Sequence, residues 1–153
     1  MKNLWPDFKS FGDTQTPKDV LLTQAENLNI ATNGLIQGTI KSREVRLGTK
    51  IEESNEVEND NFIHIFNVFA PRLKYSFNLL TVRHQTIKIY PCNVSAELAD
   101  TKSVADSEKD LEEILEKIFK HPEVFMAIES LILQSKAERE NEIQAAADDD
   151  LPF

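Results

Sequence analysis

The segment FIHIFNVFAPRLKYSFNLLTV, residues 62–82, decides the fold. Its first half is rich in β-branched and aromatic residues, and Pro71 marks the end of that strand. In its second half apolar and polar residues alternate, which is typical of a half-buried strand. One face is predicted to carry Leu73, Tyr75, Phe77 and Leu79. The segment therefore predicts two neighbouring antiparallel strands that share one apolar face.

One further strand is predicted before this pair, LIQGTIKSREVRL at residues 35–47, and one after it, TIKIYP at residues 86–91. The first ends at Gly48, before the acidic loop EESNEVENDN. Four strands joined in sequence order predict an antiparallel meander.

The second face of this sheet is predicted to lie open to solvent or to a partner. In TIKIYP, Ile87 and Ile89 are predicted to face inwards. The open face would then carry Lys74, Ser76, Asn78, Lys88 and Tyr90.

Helices are predicted before and after the sheet. Thr16, Pro17 and Asp19 form a capping box with proline at the first helical position, and Gly34 stops that helix. The last third, from Ser107 onwards, has apolar residues at helical spacing until about residue 139, interrupted at His121–Pro122. Two C-terminal helices are therefore predicted.

The predicted fold class is α+β: an N-terminal helix, a four-stranded antiparallel meander and two C-terminal helices packed on one face of the sheet. Residues 1–16 would form an irregular arm, residues 17–139 one α+β domain, and residues 140–153 a flexible, disordered acidic tail. The arm carries Trp5, Phe8 and Phe11, which either pack on the core or form a second docking peptide.

Length and composition favour one globular domain without disulfides. The chain has 153 residues, of which 41% are hydrophobic, and a single cysteine. No segment has the roughly 20 apolar residues of a membrane helix, and the first residues lack the apolar run of a signal peptide. A cytoplasmic location is expected.

Charge is distributed unevenly along the chain. The formal net charge is −9, yet residues 1–103 contain 12 basic and 12 acidic residues, whereas residues 104–153 contain 5 and 14. Between Phe62 and Val94 there are basic residues but no acidic ones. The sequence thus predicts a mildly positive strand region attached to a strongly negative C-terminal third.

Chemistry-bearing patterns are sparse. The sequence has no phosphate-binding glycine motif, and His64, His84 and His121 have no ligand-spaced partner. His64 is expected to be a hydrogen-bonded strand residue and Cys92 an inert thiol. We therefore expect no enzyme, no catalytic residue, no cofactor and no metal site.

The last six residues, DDDLPF, are a specific signal. They resemble the acidic C-terminal tip of bacterial single-stranded DNA-binding proteins, a docking peptide that recruits replication, recombination and repair proteins. The resemblance covers about six to nine residues, and the body of the chain shows neither the strand order of that family nor its long linker. It implies a partner-binding set of Asp148, Asp149, Asp150, Leu151, Pro152 and Phe153.

Each of these residues takes a role from the resemblance. Phe153 would enter a hydrophobic pocket, and its α-carboxylate would be gripped by an arginine of the partner. Pro152 would stiffen the turn, and the three aspartates would meet a basic rim. Leu151 stands where isoleucine is commoner.

Three hypotheses follow. The body binds single-stranded DNA while the tail recruits DNA-processing proteins; the chain is an adaptor or phage mimic that occupies their tail-binding pockets without binding DNA; or the tail ending is coincidental. Exposed strand edges would also permit a homodimer. For the first hypothesis the predicted DNA-binding residues are Arg72, Lys74, Tyr75, Arg83, Lys88 and Tyr90.

Overall fold

The computed structural model describes residues 2–8, 12–46 and 61–149. A 3₁₀ turn, Pro71–Leu73, joins the second strand to the third. The predicted α+β class, the N-terminal helix and the two C-terminal helices are confirmed. In chain order the elements are α1 (Pro17–Ala31), β1 (Gln37–Val45), β2 (Asn61–Ala70), β3 (Tyr75–Gln85), β4 (Lys88–Ala96), β5 (Thr101–Ala105), α2 (Glu108–Phe119) and α3 (Pro122–Asp149).

The sheet has five strands rather than the predicted four. Its order is β1-β2-β3-β4-β5, and every neighbouring pair is antiparallel, so the meander is longer by one strand. The missed strand, β5, follows a turn in which Asp100 has a positive φ of 46°. Its sequence, TKSVA, contains only one large apolar side chain. Because its alternation is so weak, pairing with β4 rather than local pattern defines it.

The register divides the sheet into two faces. One face packs against the helices and holds Phe66, Val68, Leu80, Val82 and Val94, which belong to a single core cluster. We call the other side the helix-free face. It comprises Gln37, Thr39, Lys41, Arg43, Val45, Asn61, Ile63, Ile65, Asn67, Phe69, Ser76, Asn78, Thr81, Arg83, Gln85, Lys88, Asn93, Ser95, Lys102 and Val104.

A β-bulge in β3 keeps this division intact. Phe66 pairs with Leu80 and Asn67 with Asn78, so Leu79 has no partner in β2. Without the bulge Asn78 and Leu80, two residues apart, would lie on the same face of the sheet, because side chains alternate with a period of two. The bulge thus allows Leu80 to join the core while Asn78 stays on the helix-free face.

The predicted facing of the fourth strand is wrong at two residues. Ile87 lies in the turn before β4 and is 95% exposed, although it was expected inside. Tyr90 was expected outside, yet it packs against the core, and its hydroxyl donates to the Gln15 carbonyl oxygen at 3.1 Å. The cause is the irregular register between β3 and β4, where Gln85 pairs with Lys88 but Arg83 pairs with Asn93.

The helix boundaries follow the predicted caps. The Thr16 side chain accepts from the Asp19 backbone N–H, and the Asp19 carboxylate accepts from the Thr16 N–H, which completes the capping box. At α2 the Ser107 side chain accepts from the Asp110 N–H, whereas the Asp110 carboxylate accepts from the Asp106 N–H, so the box is not reciprocal. The chain then breaks at His121, and α3 begins at Pro122, as predicted.

The last helix is longer than its apolar pattern indicates. Helical backbone continues to Asp149, ten residues beyond the end predicted at residue 139. Part of this extension is anchored where Arg72, beside β3, forms an ion pair with Glu142. The predicted tail at residues 140–153 therefore begins as helix, and its flexibility stays a prediction.

The N-terminal arm contacts the domain at its end. Gln15 donates its backbone N–H to the Glu108 carboxylate at 3.3 Å, close to the Tyr90 contact. Trp5 and Phe8 are exposed, and their ring centroids lie 6.2 Å apart. These two rings are therefore not part of the core; Phe11 lies outside the described residues.

Helix α1 lies unusually close to the sheet at Gly38. A Cβ atom at this position would stand 2.7 Å from the Ala25 Cα and 3.1 Å from the Phe66 ring. Backbone cannot yield as a flexible side chain can, so only glycine fits between α1 and β1.

We therefore expect Gly38→Ala to lower the free energy of unfolding by about 1–3 kcal/mol, because the added methyl group forces α1 away from β1. Urea denaturation monitored by circular dichroism measures this. The control is Thr39→Ala, at an exposed neighbouring position, for which a change below about 0.5 kcal/mol is expected. Equal destabilisation by both variants would contradict the close-packing interpretation.

Candidate nucleic-acid interface

The helix-free face carries a band of basic side chains. Lys41 and Lys102 lie in one transverse row, because the register connects Lys41 to Ile65, Thr81, Ser95 and Lys102 in succession. At about 4.8 Å per strand, this row spans roughly 19 Å. We call the full set the basic band; it consists of Lys41, Arg43, Arg83, Lys88 and Lys102.

On the helix-free face of the described strands, no carboxylate accompanies this band; Glu44 of β1 lies on the opposite side, with its carboxylate 3.7 Å from the Arg46 guanidinium. All positions of the helix-free face are basic, polar or apolar. The exposed surface of α2 is the opposite in character, with Glu112, Glu113 and Glu116 facing solvent. The domain thus has a basic sheet face behind an acidic helix layer.

A shallow groove of about 510 Å³ lies beside the basic band. Asn67 and Asn78 are direct cross-strand partners in it, and Phe69 pairs with Ser76 in the next row. Lys41 forms its basic border. The lining residues are Thr39, Lys41, Ile65, Asn67, Phe69, Ser76 and Asn78.

Two of the six predicted DNA-binding residues lie on this face. They are Arg83, which is half-buried in β3, and Lys88, which is exposed opposite Gln85 at the hairpin end. Lys74 is exposed beside the sheet, in a left-handed conformation with φ of 52° at the start of β3.

The structure separates the other three from the face. Arg72 is paired with Glu142 of α3, and Tyr75 lies on the covered side opposite Ala70. Tyr90 is bound to the arm; burial, the first cause, and the nearby Cys92 and Glu108 raise its pKa to about 12, so its hydroxyl stays a donor. These three predicted residues therefore lie apart from the helix-free face, and their part in binding DNA stays a prediction.

Sequence analysis missed three members of the basic band. Lys41 and Arg43 lie on β1, and Lys102 lies on β5. The alternation of β1 already indicated that residues 41 and 43 share a face. Lys102 carried no such signal, because β5 itself was not predicted.

The predicted tail site is largely beyond what can be described. The helix backbone ends at Asp149, so Asp148 and Asp149 are its last residues. Their side chains, and all of Asp150, Leu151, Pro152 and Phe153, lie outside the described residues.

A buried histidine pair lies on the covered side, which sequence spacing did not reveal. His64 Nδ1 is 2.7 Å from the Ser42 hydroxyl oxygen, and His64 Nε2 is 2.9 Å from His84 Nε2. His84 Nδ1 is 2.8 Å from the Gln85 carbonyl oxygen. The two imidazoles meet because their strands are neighbours, although 20 residues separate them.

The hydrogen-bond partners assign the proton positions on the two imidazole rings. A carbonyl only accepts, so His84 donates through Nδ1 and its Nε2 accepts from His64. His64 Nδ1 then accepts from the Ser42 hydroxyl. Burial, with smaller contributions from His84 and Lys18, lowers the pKa of His64 to about 4. These contacts confirm the prediction that His64 is a hydrogen-bonded strand residue.

The remaining features of the described residues concern the Cys92 thiol, metal-binding clusters and membrane-spanning helices. Burial raises the pKa of the Cys92 thiol to about 11, which leaves it protonated. Across residues 2–8, 12–46 and 61–149, no cluster of three or more histidine, cysteine or acidic side chains could hold a metal ion. Within the same residues, no helix is long and apolar enough to cross a membrane.

Protein-family models, curated proteins and solved structures contain no match for this chain. Its function is therefore inferred from its own residues.

The histidine pair makes stability pH-dependent in a defined direction. Unfolded His64 takes up a proton near pH 6.5, whereas folded His64 does so only near pH 4. Between these two pH values the unfolded chain binds more protons than the folded chain. The contribution of His64 to the free energy of unfolding is therefore complete above pH 6.5 and is lost as the pH falls towards 4. We expect the free energy of unfolding to drop by up to about 3 kcal/mol over this interval.

Urea denaturation at pH 7, 5.5 and 4 measures this drop. His64→Gln should be less stable at pH 7 and show a smaller drop, whereas the control His121→Gln should match the wild-type slope. A His64→Gln slope equal to that of wild type would assign the acid sensitivity to other groups.

Proposed function

We propose that this chain is an accessory protein of DNA replication, recombination or repair that binds single-stranded DNA on its helix-free face and recruits partner enzymes through DDDLPF. The observation that carries the proposal is the basic band, in which five basic side chains on four strands share a face without a described carboxylate. Such a band attracts phosphates and releases their counterions.

The two-sided charge distribution supports a defined binding orientation. The chain as a whole has a formal charge of −9, which opposes binding to a polyanion at long range. Among the described residues, however, the charged side chains on the helix-free face are all positive, while the acidic helices lie behind the sheet. Nucleic acid would therefore approach only from the sheet side, with modest affinity that decreases with salt.

The tail supports the recruiting role through its chemistry. A terminal carboxylate beside a phenylalanine offers one buried anchor and one charge-assisted contact. The aspartates would accelerate encounter with a basic partner, and Pro152 reduces the entropy lost on binding. This role requires that Phe153 carries the free α-carboxylate, and a peptide this short would bind at roughly micromolar affinity.

An adaptor or mimic without DNA binding is the second candidate function. Its supporting observation is the acidic last third, with 14 acidic against 5 basic residues in residues 104–153. Such a protein would use the same tail to recruit host DNA-processing proteins or to compete for their pockets. It would bind those partners but no single-stranded DNA at low salt.

One test of the proposed DNA binding concerns the lysines of the basic band. Lys41→Gln combined with Lys102→Gln should weaken binding of a fluorescent oligothymidine and reduce the slope of log K against log salt by about 1.4, because two phosphate contacts are lost. Fluorescence anisotropy at 20–150 mM salt measures both quantities.

The matched control removes two lysines from the helix layer. Lys109→Gln combined with Lys117→Gln changes the net charge equally, at exposed positions of α2. It should leave the affinity unchanged or slightly lower and the slope unaltered. If the two double variants behave alike, the helix-free face is not the interface; if wild type binds nothing at low salt, the adaptor function replaces this one.

A test of the proposed recruitment concerns the anchor of the tail. Phe153→Ala should weaken partner binding by about 2–4 kcal/mol, because it empties the pocket that the ring fills. Immobilised full-length protein is compared with the variant for retention of DNA-processing proteins from a bacterial extract. Leu151→Ile is the control and should retain the same proteins.

One added residue after Phe153 tests the carboxylate separately. Because it moves the charge away from the ring, it should abolish retention as Phe153→Ala does. Retention that is unchanged by both alterations would mean that the tail ending is coincidental.

A further inference from the structure

Beyond general binding to a basic face, we propose that the groove beside the basic band takes one unpaired base, so that the nucleic acid lies with its bases towards the sheet. This inference rests on the proposed function and specifies the ligand as a single strand with accessible bases. The basic band would hold phosphates, and the groove would hold a base next to them.

The position of the groove fits this division of roles. Lys41 belongs both to the basic band and to the groove lining. The Thr39–Asn67–Asn78 row is next to the row of Lys41, about 7 Å away along the strands. A phosphate at Lys41 would therefore place its own sugar and base beside the groove.

The lining has the chemistry of a base site. Ile65 and Phe69 supply an apolar surface against which a base can stack. Asn67 and Asn78 stand side by side, and each amide offers a donor and an acceptor to a base edge. Apart from Lys41 the described lining residues are uncharged, which suits a neutral base rather than a second phosphate.

Its size and shape favour an unpaired base. A volume of about 510 Å³ lies within the roughly 300–1,000 Å³ of small-ligand sites. In a duplex the bases are stacked and paired inside the helix, so their faces cannot reach Phe69. The groove therefore discriminates against duplex DNA, whereas the cations alone would not.

The experiment compares two oligonucleotides on the unaltered protein. One is oligothymidine of about 12 nucleotides, and the other is an abasic strand with the same number of phosphates. We expect the base-containing strand to bind at least about tenfold more tightly. This ratio should persist from 20 to 150 mM salt, because stacking releases no counterions.

Two variants locate the effect. Phe69→Leu and Asn78→Ala should each lower the ratio towards one while binding of the abasic strand stays constant. Asn93→Ala, an exposed asparagine elsewhere on the helix-free face, should leave the ratio unchanged. Thermal denaturation shows whether each variant is folded. If Phe69→Leu does not fold, Asn78→Ala alone tests the groove.

The outcomes separate this inference from the proposed function. Equal binding of both strands would overturn the base site and leave DNA binding on the basic band intact. A preference for bases that survives both groove variants would place the contact elsewhere and would also overturn it. If neither strand binds, the proposed function fails, and this inference fails with it.

Discussion

The β-bulge at Leu79, which has no partner in β2, is the constraint on which the two-sided sheet depends. The apolar side chains of β3 pack against the helices along both halves of the strand. Strict alternation without the bulge would turn the apolar side chains of one half towards the helix-free face. The bulge adds one residue and restores the phase, so that Leu80 and Val82 are buried. Asn78 and Arg83, from the two halves, consequently share the helix-free face.

Burial on one side leaves the other side chemically unconstrained. The helices supply the apolar partners of the core; the ring of the partly buried Phe119 in α2, for example, lies 6.0 Å from the Phe66 ring. Side chains on the helix-free face need not pack against a helix, and exposed positions there can carry charge at little cost in stability. The separation of basic and acidic surfaces is therefore a consequence of the layered fold.

The sequence predicted local features well and cross-strand features poorly. Thr16 and Ser107 mark helix starts through their own side chains, and Pro122 marks the helix break, so each could be recognised without a fold. The meeting of His64 with His84 and the alignment of Lys41 with Lys102 depend on register, which single-strand patterns do not contain. Ile87 and Tyr90 were misplaced because alternation was carried through a hairpin turn. The tail hexapeptide, conversely, is a motif that sequence alone displays.

The continuation of α3 to Asp149 changes how a terminal signal would be presented. Beyond the Arg72–Glu142 anchor, seven more residues extend the helix by about 10 Å, and only three residues separate its end from Phe153. A flexible linker sets only a range of distances, whereas a helical stalk also sets a direction. Inserting one residue into that stalk would turn its end by about 100° about the helix axis, so the proposed recruitment would vary periodically with stalk length.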